Sequence, residues 1–66
     1  MWIEHDGKQY PQHAELVDEV YVRFRDGYET TTPVHVWTFV GRAGNNWKWG
    51  SMPDRGNDIV AYRVVR

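Results

Sequence analysis

The chain contains no cysteine. That excludes a disulfide scaffold and any thiolate zinc site, two of the usual supports for so short a chain. It also fits a reducing compartment such as the cytoplasm. No apolar run approaches the ~18 residues of a membrane-spanning helix. The opening Met1-Trp2-Ile3-Glu4-His5-Asp6 has neither the basic nor the apolar region of a secretory signal. No membrane partner is expected. Serine is nearly missing too: Ser51 stands alone between Gly50 and Met52, outside any nucleophile-elbow context. A strong charge of one sign is also lacking. The formal net charge is −1, which gives no global pull toward nucleic acid or a membrane surface.

Aromatic residues are abundant. Four Trp, four Tyr and two Phe occur in 66 residues. Each buries roughly 150–250 Å², so a few of them supply most of a tiny core. A chain of this length leaves much of its surface exposed and has a margin of only ~3–5 kcal/mol. One domain, residues 1–66, is expected. The charge is uneven. Residues 1–19 carry Glu4, Asp6, Glu15, Asp18 and Glu19 against Lys8 alone, whereas residues 20–66 carry seven bases against four acids.

The patterning is that of strands. Glu19–Arg25 alternates Val20, Val22 and Phe24 with Glu19, Tyr21, Arg23 and Arg25, which predicts one buried and one solvent-facing side. Val34–Val40 is rich in β-branched and aromatic residues. In Ile59–Val65, Arg63 prefers solvent, so Val60, Tyr62 and Val64 should point inward. Trp47-Lys48-Trp49 reads as a short strand with both indoles on one face. Asp6-Gly7 and Asp26-Gly27 are hairpin-turn signals, with Lys8–Tyr10 and Tyr28–Thr32 as their return strands. His13–Asp18 reads as a loop or a single turn. Sequential strands with tight turns usually pair with their neighbours. The expectation is an all-β domain, a five- to six-stranded antiparallel meander forming a small barrel or sandwich.

Three stretches together form a pattern: Val20-Tyr21-Val22-Arg23-Phe24-Arg25-Asp26-Gly27, then Trp47-Lys48-Trp49, then Asp58-Ile59-Val60-Ala61-Tyr62-Arg63-Val64-Val65, preceded by Trp2, Gly7 and Pro11. The pattern resembles short proteins and protein tails encoded by tailed phages and prophages. The resemblance implies an accessory protein acting inside a bacterial host. It implies no assigned activity and no catalytic residues. The stretch Thr30–Gly44 lies outside the pattern.

No catalytic constellation is legible. His5, His13 and His35 have no ligand spacing on a defined element, so no metal is expected. Asp18-Glu19 and Asp54/Asp58 are paired carboxylates, but acid–base work needs a cleft, and so short a β domain has little room for one. Asp54, Asn57 and Asp58 are expected to fix loop turns through side-chain to backbone bonds. Gly41-Arg42-Ala43-Gly44 lacks the Lys-Ser/Thr of a phosphate loop. No cofactor is implied and no enzyme is expected.

Function by surface is the remaining class. Tyr21, Arg23 and Arg25 face outward on the best strand, Arg63 on the last, and Trp37 and Phe39 form a candidate apolar patch. Trp, Tyr and Arg are the residue types enriched at interface hot spots. These six residues are the candidate site for binding a host or phage protein, with inhibition of a host defence or regulatory system as the specific version. Self-pairing into a homodimer is one form of it. A single-stranded nucleic-acid platform is the alternative use, disfavoured by the near-zero net charge.

Overall fold

A computed structural model describes residues 1–41 and 44–66; Arg42 and Ala43 of the Gly41–Gly44 loop lie outside the described residues. Four strands form one antiparallel sheet: β1 (Ile3–Glu4), β2 (Glu19–Phe24), β3 (Val34–His35) and β4 (Ile59–Val64), in the order β1-β4-β2-β3. Two 3-10 turns, Val36–Phe39 and Arg55–Asn57, complete the regular structure. No α-helix occurs among the described residues.

The two best alternating segments became the two central strands. Pairing them lets each bury its apolar side against the same core. Val20 lies opposite Val64, Tyr21 opposite Arg63, Val22 opposite Tyr62 and Arg23 opposite Ala61. The register then steps, and Phe24 meets Ile59. The core cluster is Val20, Val22, Val36, Trp47, Ile59 and Tyr62, with Phe24, Phe39, Val40 and Val64 packed against it.

The all-β class holds, but the sheet is open and has four strands among the described residues, rather than five or six. It is not a meander, because β4 inserts between β1 and β2. Each missing strand has a local cause. At Asp6-Gly7 the chain does not return on itself. The Gly7 carbonyl accepts from the Trp49 amide at 3.1 Å, and the His5 amide donates to Val60. Gly7 has φ +83°, and a Cβ there would overlap the Trp49 ring, so this turn requires glycine. Trp47-Lys48-Trp49 is a turn, not a strand. Asn45 Oδ1 accepts from the Trp47 amide at 2.9 Å, and the Lys48 amide donates to the Asn45 carbonyl. Side-chain competition of this kind disfavours a ladder.

Val34–Val40 leaves the sheet after His35, because carbonyls of the preceding loop capture its amides. Val36 donates to Asp18 at 2.9 Å and Trp37 to Leu16 at 3.1 Å. The Asp26-Gly27 signal does give a turn, a three-residue loop closed by Phe24 N–H donating to the Tyr28 carbonyl at 2.8 Å. Its return is a single bridge between Arg23 and Glu29, with Thr30 bonded to Val22 through both backbone and hydroxyl.

Candidate functional site

On the sheet's outer side, register fixes which residues are neighbours. Tyr21 and Arg63 are directly opposite, as are Arg23 and Ala61, and Glu4 lies opposite Ala61 from the other edge. Alternation places Trp2 on this same side, one position before Ile3. The Arg63 guanidinium lies 4.7 Å from the Tyr21 ring and 5.6 Å from the Trp2 ring, and the Arg23 guanidinium lies 4.6 Å from Trp2. Trp2 is thus held between two cations. Ala61 shares this side with Arg63 yet is 3 % exposed. Guanidinium groups over aromatic faces are attracted by the ring quadrupole, by about 0.5–1 kcal/mol each at exposed sites.

Arg23 is further tied by a 2.7 Å ion pair to Glu29, whereas Arg63 makes no ion pair among the described residues. Glu4, Glu19 and Glu29 border the face, so its charge is close to balanced.

Of the six candidate residues, the structure brings Tyr21, Arg23 and Arg63 together. The other three lie elsewhere. Beyond the register step, Arg25 meets Trp49 at 4.6 Å and donates to Asp58 at 3.3 Å. It braces the fold. Phe39 turns inward and packs edge-on against Phe24 at 5.8 Å and Trp47 at 6.3 Å. Trp37 is 54 % exposed and stacks flat on His35, which stands opposite Glu19 at the end of the sheet. Trp2 is the member of the face that the candidate set lacks. Its signal was present in the alternation Trp2/Ile3/Glu4, which puts Trp2 on the side opposite Ile3.

Two ionisable side chains, His5 and Asp58, are buried. His5 is enclosed edge-on by Trp47, Trp49 and Tyr62 at 5.2–6.2 Å. Its Nε2 donates to the carbonyls of Trp47 at 2.6 Å and Lys8 at 3.0 Å, so the imidazole pins the N-terminal segment to the core. Asp58 is fully buried and accepts from Arg55 at 3.0 Å, Gly50 N–H at 3.2 Å and Arg25 at 3.3 Å. Burial alone would raise its pKa. The Arg55 guanidinium, the Gly50 amide and Arg25 outweigh that and hold the carboxyl below its ordinary range. Asp54 accepts from Gly56 N–H at 2.8 Å. Asp54 and Asp58 therefore fix loop turns as expected, whereas Asn57 does so through its backbone carbonyl, accepting from Asn46. His13 and His35 are both exposed, and His35 Nδ1 lies 3.1 Å from the Val17 carbonyl. Among the described residues no three ligating side chains converge, and no helix is long and apolar enough to cross a membrane.

No protein-family model, curated protein or solved structure matches the chain.

Proposed function

We propose that the chain is a non-enzymatic binding module of phage or prophage origin, acting in the cytoplasm of a bacterial host by covering a surface of a host or phage protein. The observation that carries this reading is the Trp2/Arg63/Tyr21/Arg23 stack on the open side of the sheet. Its residue types are those of interface hot spots. Their geometry is preorganised, so docking costs little side-chain entropy. The balanced charge favours a protein over a phosphate backbone, because the carboxylates of Glu4, Glu19 and Glu29 offset the guanidinium groups. Blocking a defence or regulatory protein by steric occlusion is the specific form suggested by the phage-like sequence pattern.

The test compares tagged wild-type protein with an Arg63→Ala/Tyr21→Ala variant in capture from host lysate followed by mass spectrometry. The expected result is a specific protein retained by wild type and lost by a variant whose circular dichroism is unchanged. Equal retention by the folded variant overturns the face. Retention that disappears on nuclease treatment overturns the protein partner in favour of nucleic acid.

A further inference from the structure

A second surface lies at the opposite edge of the sheet, beside β3, whereas Trp2 precedes β1 at the other edge. Val17 is 70 % exposed, Trp37 54 % and Leu16 45 %. The backbone ties the segments that carry them: Trp37 N–H donates to the Leu16 carbonyl, Val36 N–H to Asp18, and His35 Nδ1 lies against the Val17 carbonyl. His35 and Trp37 stack with planes 11° apart. The result is an exposed apolar shelf.

The charge beside the shelf is mostly negative. Residues 13–19 carry Glu15, Asp18 and Glu19, and neither they nor residues 34–37 contain lysine or arginine. Glu15 and Asp18 also line an open hollow of about 460 Å³, with Gln12, His13, Ala14 and Arg66. Arg66 is the one lysine or arginine in that lining, against two carboxylates.

We propose that this shelf docks a segment of a partner protein in which a large apolar side chain is flanked by lysine or arginine. The apolar group covers Leu16, Val17 and Trp37, and a basic side chain enters the hollow beside Glu15 and Asp18. Charge complementarity selects this occupant. A second copy presenting the same shelf would bring two net-negative surfaces together, each with Glu15, Asp18 and Glu19 against Arg66. The proposal does not rest on the Trp2/Arg63 face: Glu19 borders both surfaces, but the apolar residues of the shelf belong to neither β2 nor β4 and have their own variants.

The experiment is an amide NMR titration of the full chain with three synthetic peptides of equal length: alternating leucine–lysine, leucine–glutamate and serine–lysine. The leucine–lysine peptide should shift the amides of Leu16, Val17, His35 and Trp37 and the Trp37 indole. The other two should bind about tenfold more weakly, or not at all. Val17→Ser and Trp37→Ala should each weaken leucine–lysine binding by about tenfold. Val17→Ser carries the test alone if Trp37→Ala unfolds. The proposal is overturned by equal binding of the leucine–glutamate or serine–lysine peptide, or by shifts confined to Trp2, Tyr21, Arg23 and Arg63. Concentration-dependent shelf shifts without peptide also overturn it, in favour of self-association.

Discussion

The two sides of the β2–β4 pair are both aromatic, yet they are held by different forces. On the inner side Trp47 is fully buried, meets Tyr62 edge-on at 5.5 Å, and donates its indole N–H to the Val36 carbonyl at 3.1 Å. On the outer side Trp2 is only half-buried and is held by Arg23 and Arg63. The inner contacts combine hydrophobic burial with bonds that have no water to replace them. The outer contacts compete with water at every point. One Trp is therefore committed to folding, while the other can exchange its contacts for those of a partner at small cost. Residue type alone does not separate the two roles; the number of sides on which an indole is enclosed does.

Trp47→Ala tests the inner side and should have the largest effect. Removing a buried Trp costs about 3–5 kcal/mol. A domain of this size has a total margin of only ~3–5 kcal/mol. The variant should therefore be largely unfolded at room temperature by circular dichroism. A cooperative urea transition near that of wild type would show that the core does not depend on this indole.

Asp58→Asn comes next. The wild-type carboxylate is fully buried and joins Arg25, Arg55 and the Gly50 amide. Weakening these bonds should cost about 2 kcal/mol at neutral pH, as charge-assisted hydrogen bonds are worth ~1.5–3 kcal/mol. The pH dependence has a definite sign. The folded pKa lies below the ordinary 3.8. The stabilisation is therefore fully present above that value and lost as pH falls through the lower folded value. The gap between wild type and Asp58→Asn should close in strong acid. Asp6, also lowered chiefly by the Lys8 amide, titrates in both proteins and cancels in the difference. A gap independent of pH would mean that Asp58 acts by shape and not by charge.

The inner side was the more legible of the two from sequence. Alternation located Val20, Val22 and Tyr62, because a strand's period of two survives any change of partner. It missed Ile59, which the register step at Phe24 brings inside, and misread Trp47-Lys48-Trp49, whose strand-like composition was overruled by the Asn45 side chain. On the outer side, alternation found Tyr21, Arg23 and Arg63 for the same reason. It failed for Arg25, Phe39 and Trp37, since their positions depend on a register step and on loop carbonyls distant in sequence. Strand order was not legible at all: that β4 inserts between β1 and β2 depends on contacts separated by most of the chain.

Trp2→Ala should cost much less than Trp47→Ala, about 1 kcal/mol, because its cation–π contacts are worth ~0.5–1 kcal/mol each and little area is fully enclosed. Urea denaturation of the two variants side by side measures the contrast directly. A loss at Trp2 as large as that at Trp47 would make the outer stack a second core and remove the reason to regard it as available for binding.

The smallest effect tests the contact itself. A double-mutant cycle on Trp2 and Arg63 isolates their pairwise energy from whatever each contributes separately. The expected coupling is about 0.5 kcal/mol, since their centroid distance of 5.6 Å is near the outer limit for such pairs and the guanidinium remains hydrated. Arg63→Lys should lose most of it, because an ammonium lacks the flat face that stacks on both Trp2 and Tyr21. The same substitution barely alters net charge or long-range field. Partner capture that survives Arg63→Lys would therefore place the recognition in charge, whereas capture lost with it would place it in the planar stack, the feature that distinguishes the outer side from the inner.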